Sequence, residues 1–207
     1  MKFLLIDDHQ ILRDGLRRIL LAEFPGAVIE EVSNAEDVVE KVTRLDFDLI
    51  ICDLSMPGRS GIDVVKQVKE THPKLPVIIL SMLPDENYAM RALKAGAMGY
   101  VNKSSGSAEL LQAIHRVLLG RKYISPTVVE QLTQDINSKA EQTHNELSDR
   151  EFEVFKLIAE GKGISEIANQ LSLSLSTVST HRSRILAKMK MKGNADIVKH
   201  ALQHNLL

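Results

Sequence analysis

Along the first 120 residues the hydrophobic and polar positions follow two rhythms. Short runs, mostly unbroken and apolar, occur at Phe3–Ile6, Val28–Val32, Leu49–Cys52, Pro76–Leu80 and Gly99–Val101. Between them, apolar residues recur every three or four positions. Ile11–Leu21 carries Leu12, Leu16, Ile19 and Leu20; Ala35–Leu45 carries Val38, Val39, Val42 and Leu45; Ile62–Lys69 carries Val64, Val65 and Val68. Glu86–Ala95 and Ala108–Leu119 complete the series, the latter with Ser107 as its expected N-cap and Gly120 as its stop. Strands without polar alternation are covered on both faces. Five strand–helix units in succession predict an α/β fold: a doubly wound, five-stranded parallel sheet with helices on both sides.

Past residue 120 the rhythm changes. Gln131 to Asn145 are mostly polar, which predicts a linker over residues 123–146, partly helical near Thr127–Leu132. From Leu147 onward every period is helical, and four helices are expected over 147–207. Ser148 and Glu151 form a capping box ahead of Val154, Phe155, Leu157 and Ile158. Gly161 and Gly163 interrupt the chain before a short helix, Ile164–Leu171. Ser172–Leu175 reads as a turn and Ser176 as the cap of a longer helix, Thr177–Met189, with Val178, Ile185 and Met189 as its buried stripe. The last helix is expected at Asn194–Gln203. A short helix, a tight turn and a basic helix predict a helix-turn-helix over about residues 162–181, its second helix shaped for a DNA major groove. A helical packing or dimerisation unit with a basic surface fits the same pattern.

Charge sharpens this picture. The chain of 207 residues has 26 Lys+Arg against 27 Asp+Glu, yet no acid lies between Glu166 and Asp196, where Arg182, Arg184, Lys188, Lys190 and Lys192 fall. A basic stretch in a near-neutral chain marks a face that meets an anion or a solvated helix face. No apolar run approaches the length of a membrane span, and Met1–Asp8 turns acidic too soon for a signal peptide. The expected setting is the cytoplasm, without a membrane partner. The single cysteine, Cys52, excludes an internal disulfide and a cysteine-based zinc site and reads as a small core residue. His200 and His204 stand i, i+4 on the last helix, a spacing that serves a metal or exposed polar filler.

The candidate chemistry lies where the predicted strands end. In an open parallel sheet, ligands sit beyond the carboxyl ends of the strands. The polar residues closing four of the runs are Asp7, Asp8, Asp53, Ser81 and Lys103. Taken singly, Asp7-Asp8 could cap a helix and Asp53 could be an ordinary loop aspartate. Gathered at one edge, three carboxylates repel one another, and a hard divalent cation such as Mg²⁺ relieves that repulsion. An aspartate beside such a cation and a lysine is placed to attack phosphorus.

The segments Leu4-Leu5-Ile6-Asp7-Asp8-His9, Asp48 to Gly58, Gly61, Ile78 to Ser81 and Ala95 to Lys103 together resemble the receiver domain of two-component response regulators, over about residues 1–122. The resemblance implies that Asp53 accepts a phosphoryl group from a sensor histidine kinase. It implies that the Asp8 and Asp53 side chains and the Ser55 carbonyl hold Mg²⁺, assisted by Asp7. Lys103 and Ser81 would contact the phosphoryl group, and Tyr100 would move between exposed and buried positions.

Residues 147–207 resemble the LuxR/NarL/FixJ DNA-binding domains, through Leu147 to Phe155, Ile158 to Gly161, Glu166 to Leu171, Ser176 to His181 and Ile185 to Met189. This implies contacts to double-stranded promoter DNA from Thr177, Ser179, Thr180, His181, Arg182, Ser183, Arg184 and Lys188, and a homodimer when phosphorylated or on DNA, with the last helix helping to pair two subunits. The chain departs from the family at Ser179 and Ser183, where basic residues are common. A response regulator, not an enzyme, is the expected whole. A metal-dependent phosphatase or phosphotransferase would use the same aspartates but needs an acid/base Asp two residues after the nucleophile, where Ser55 stands; a vestigial interaction module would not need the intact set.

Overall fold

A computed structural model describes residues 1–82, 86–126, 128–129, 143–204 and 206–207 of the chain. It divides into two compact units, Met1–Asp135 and Ile136–Leu207.

In the first unit, strands and helices alternate: β1 (Lys2–Ile6), α1 (Gln10–Glu23), β2 (Val28–Val32), α2 (Asp37–Arg44), β3 (Leu49–Asp53), α3 (Gly61–Thr71), β4 (Val77–Ser81), α4 (Glu86–Ala95), β5 (Gly99–Asn102), α5 (Ser107–Leu118) and β6 (Tyr123–Ile124). All strands are parallel, in the order β2-β1-β3-β4-β5-β6. The doubly wound sheet is as expected, with six strands instead of five. The extra strand is two residues long, below what periodicity can register, and occupies residues assigned to the linker. It forms because the chain, turning at Gly120 (φ 74°), returns beside β5, where Tyr123 N–H reaches Met98 O and Ser125 N–H reaches Tyr100 O.

β1, β3 and β4 are buried along nearly their whole length, as their unbroken apolar runs require. One face of the sheet packs Phe3, Leu5, Leu49, Ile51, Ile78 and Leu80 against Leu16 and Leu20 of α1 and Leu110, Ile114 and Val117 of α5. Cys52 lies fully inside, a core residue whose thiol pKa is pushed well up by burial. Two expected caps shift. Gly106 (φ 84°), not Ser107, precedes α5, and Ser107 is already helical.

The second unit opens on a 3₁₀ turn, Thr143–Glu146, and continues as α6 (Asp149–Ala159), α7 (Ile164–Gln170), α8 (Leu175–Lys188) and α9 (Asn194–Gln203). The capping box at Ser148 and Glu151 is present: Glu151 N–H reaches Ser148 Oγ (3.3 Å) and Glu151 Oε2 accepts from Ser148 N–H (2.8 Å). Helix α8 begins two residues earlier than expected. Ser174, not Ser176, caps it, because Ser174 Oγ accepts the Thr177 N–H at 3.1 Å. Val178, Ile185 and Met189 form the buried stripe. Of the turn of helix expected near Thr127–Leu132, Val128 and Val129 are helical; residues 127 and 130–132 lie outside the described residues, as does most of the expected linker.

Gly61 starts α3 against the end of β3. A Cβ there would stand 2.2 Å from the Asp53 carbonyl oxygen. Gly61→Ala is therefore expected to destabilise the first unit by about 1–3 kcal/mol or more, read as a lowered denaturation midpoint in urea; an unchanged midpoint would contradict this packing.

Candidate functional site

The ends of β1, β3 and β5 meet in one pocket. Asp7 and Asp53 are 1% and 4% exposed, and the Lys103 ammonium lies between them, 2.8 Å from Asp7 Oδ2 and 2.9 Å from Asp53 Oδ1. Register sets this up: Ile6 pairs with Cys52, Asp53 with Leu80, and Ser81 with Asn102, so each functional residue falls at or just past the last rung of its strand. Asp7 does not cap α1. Its Oδ1 accepts the His9 N–H at 2.8 Å, and α1 carries no acid in its first turn.

Asp7, Asp8, His9 and Asp53 bring four ligand atoms within 4.8 Å of one another. At that separation two carboxylates repel by about 3–4 kcal/mol at an effective dielectric constant near 20. One lysine leaves three carboxylates with a formal charge of −2, which a divalent cation matches. Asp8 Oδ1 is shielded from solvent yet takes no hydrogen bond among the described residues, although His9 Nδ1 lies 2.9 Å away. A shielded carboxylate oxygen without a hydrogen bond, beside two buried carboxylates, suits a hard cation.

Burial pushes the Asp53 carboxyl pKa up, and the Asp7 charge adds to this; Lys103 and the Ser55 N–H, 3.3 Å from Asp53 Oδ1, pull the other way. Burial works against the Lys103 ammonium, but its bonds to Asp7 and Asp53 outweigh it and raise its pKa. Ser81 and Tyr100 are 1% and 0% exposed, so Tyr100 adopts an inward position. Ser55 is exposed at the rim.

Two residues of this pocket escaped sequence reasoning. His9 joins the acidic group through its ring. Arg13, 7% exposed, donates to Asp7 O and to Gln10 Oε1, and its Nε reaches Glu31 Oε2 at 3.2 Å. The signal for Arg13 was its place on the buried stripe of α1, three residues before Leu16.

In the second unit, α7 and α8 form the expected helix-turn-helix. The outer face of α8 is hydroxyl-rich: Ser179, Thr180 and Ser183 are exposed, with Thr180 and Ser183 bonded back to the carbonyls of Ser176 and Ser179. Thr177 is half-buried at the cap. Arg182 is held by Asn194 Oδ1 at 2.7 Å, whereas Arg184 is exposed with no hydrogen bond or ion pair among the described residues. Lys188 is exposed and bonds to Glu151 Oε2 (2.6 Å) and Glu146 O (3.3 Å), tying α8 to α6. His181 is half-buried, with Nδ1 unpartnered and its pKa lowered mainly by burial. His200 and His204 are half-buried, not exposed filler, and burial followed by the His204 charge holds His200 below the usual imidazole value.

This architecture, a parallel sheet with an acidic pocket and lysine at its strand ends followed by a helix-turn-helix, matches two family models: the response regulator receiver domain over residues 3–115 and the bacterial regulatory proteins of the luxR family over residues 145–201. The chain belongs to the two-component response regulators that join a receiver domain to a LuxR-family DNA-binding domain. It is 34% identical to the oxygen regulatory protein NreC of Staphylococcus carnosus, covering 100% of this chain and 99% of that protein. It is 32% identical to the response regulator GacA of Pseudomonas syringae, covering 100% and 98%. The RcsB response regulator of Salmonella typhimurium is 26% identical with a TM-score of 0.62 over 97% of both chains, and RcsB has also been solved in complex with DNA (27% identity, TM-score 0.61, 96% of both chains). Among the described residues no helix is long and apolar enough to cross a membrane.

Glu151 holds Ser148 N–H and Lys188 together, and these bonds lower its pKa despite burial. A depressed carboxyl stabilises the fold fully above its unfolded value, about 4.5, and loses that effect as pH falls through the folded value. Glu151→Gln is expected to lower the melting temperature of the second unit at neutral pH, at a cost of about 1 kcal/mol. The difference from wild type should close in acid; one that persisted unchanged there would contradict the ionic role.

Proposed function

We propose that Asp53 is the phosphoacceptor of this response regulator, and that phosphorylation there governs binding of double-stranded promoter DNA by the second unit. The observation that carries the reading is the buried Asp53 carboxylate held by Lys103 at 2.9 Å beside Asp7 and Asp8. Asp53 Oδ1 is engaged by Lys103 and the Ser55 N–H; Oδ2 has no hydrogen bond among the described residues and serves as the nucleophile. It attacks the phosphorus of a phosphohistidine on a sensor histidine kinase; the P–O bond forms as the P–N bond breaks and the imidazole leaves. Asp8, Asp53 and the Ser55 carbonyl would hold Mg²⁺, with Asp7 assisting, and the ion would neutralise charge on the phosphoryl oxygens.

The new group adds about −1.5 to −2 charges. Lys103 pairs with it, and Ser81, one residue beyond the partner of Asp53 on β4, supplies a hydroxyl. As Ser81 turns toward the phosphoryl oxygens, the space around the Tyr100 ring changes, which biases two conformations of the unit and favours a homodimer on DNA. The protein acts in the cytoplasm as a regulator of transcription, and its chemistry ends at one phosphoryl group per chain.

On α8, Ser179, Thr180, Ser183 and Arg184 face outward and contact DNA, with Thr177, His181 and Arg182 at the edge of that face. Lys188, exposed near the end of α8 and bonded to Glu151 Oε2, joins them as a phosphate contact.

Acetyl phosphate with Mg²⁺ is expected to label the wild-type chain to one equivalent and Asp53→Asn not at all, by intact-mass measurement; labelling that persists in the variant refutes the assignment. Multiple turnover on sugar phosphates would instead mark an enzyme. Arg182→Ala and Arg184→Ala should each weaken binding to promoter and unrelated duplexes alike, lowering the slope of log K against log salt by about one. Loss confined to one base-pair position would make that arginine a base reader.

A further inference from the structure

Taking the acidic pocket as the cation site of the proposed function, we propose that His9 is a direct ligand of the ion bound there, and that its imidazole tilts the site from Mg²⁺ toward first-row transition ions such as Mn²⁺. His9 follows Asp7 and Asp8 directly, at the turn from β1 into α1. Its backbone N–H is tied to Asp7 Oδ1 at 2.8 Å, which holds the residue close to the strand end. Its ring Nδ1 stands 2.9 Å from Asp8 Oδ1 and 3.2 Å from Asp7 Oδ1. A nitrogen is thereby added to a ligand set otherwise made of oxygen.

A hydrogen bond accounts for only one of these approaches. Nδ1 is placed to share a proton with Asp7 Oδ1. The shorter approach, to Asp8 Oδ1, is not a hydrogen bond: that oxygen takes none among the described residues, although it is shielded from solvent. Two lone-pair atoms at that separation with no proton between them repel, unless a cation draws both. A protonated ring would be attracted as well, but its single Nδ1–H is spent on Asp7. In an octahedral shell with bonds of about 2.1 Å, neighbouring ligand atoms stand about 3.0 Å apart and opposite ones about 4.2 Å. The 2.9 Å separation matches such an edge, and the ligand atoms of Asp7, Asp8, His9 and Asp53 all lie within 4.8 Å of one another.

Lys103 engages Asp7 Oδ2 and Asp53 Oδ1, whereas the His9 ring meets Asp7 Oδ1 and Asp8 Oδ1. To bind the ion, His9 offers the Nδ1 lone pair and carries its proton on Nε2; the side chain is 69% exposed, so water can accept that N–H. Asp8, Asp53, the Ser55 carbonyl and His9 would then supply four protein ligands and leave two positions for water and a phosphoryl oxygen. Mg²⁺ favours oxygen, and imidazole is taken more readily by first-row transition ions. The carboxylates supply the charge that holds a divalent ion, and His9 sets which ion is preferred. The ring has no competing duty at the helix start, since His9 makes no side-chain cap to α1.

The test uses the full chain with Mn²⁺, whose unpaired electrons report a directly bound nitrogen. Pulsed electron paramagnetic resonance is expected to show modulation from one imidazole ¹⁴N in the wild type and none in His9→Ala, a variant that removes an exposed ring and no helix cap. By calorimetry, His9→Ala should weaken Mn²⁺ binding about tenfold or more, the scale on which even outer-shell partners act, and Mg²⁺ binding much less, so that the preference for Mn²⁺ falls. Modulation that persists in His9→Ala overturns the proposal, as does an equal loss of affinity for both ions. Mn²⁺ bound by the wild type without nitrogen modulation overturns it too, while leaving the acidic pocket as a cation site. Failure of the wild type to bind either ion overturns both this role of His9 and the cation site itself.

Discussion

The receiver unit depends on one buried ammonium. Lys103 bridges Asp7 and Asp53 at 2.8 and 2.9 Å, and without it two carboxylates almost closed to solvent would face each other. A buried pair of this kind contributes little net stability, because desolvating the three charges offsets their attraction. What it supplies is position. It holds Asp53 Oδ1 in place, and in the proposed phosphoryl transfer it stands where the new anion would arrive. The residual charge of −2 makes the same arrangement receptive to a divalent cation.

Around that centre the backbone is arranged with equal economy. Parallel pairing brings the ends of β1, β3, β4 and β5 to one edge, so residues from Asp7 to Lys103 share a site without any contact between them in sequence. Gly61 lets α3 start directly against the Asp53 carbonyl. Arg13, inserted into the apolar face of α1, grips Asp7 O and Glu31 and steadies the turn that carries Asp7 and Asp8. The helical unit uses a similar device: Glu151 joins a helix cap and a lysine brace in one side chain.

The sheet, the pocket and the helix-turn-helix were legible in the sequence because each follows from a periodicity plus the residue that ends it. Asp53, Ser81 and Lys103 are readable for this reason. Other features depend on contacts that no local pattern carries. Arg13 occupies a core position, yet arginine ordinarily marks a solvent face. Lys188 sits in a basic run, and no local pattern shows that it also bonds to Glu151, 37 residues upstream. Ser174 and Ser176 are equally good caps on paper, and only the reach to Thr177 N–H separates them. His200 and His204 were visible as a pair, but His144 joins them through tertiary packing across a polar stretch.

The short sixth strand ties β5 to the residues that follow α5. Tyr100 pairs with Ile124, and the Tyr100 carbonyl accepts the Ser125 N–H, so the strand bearing that ring is laced to the residues from which the tether departs. The covalent path out of the receiver thus begins on the rung where its aromatic ring sits.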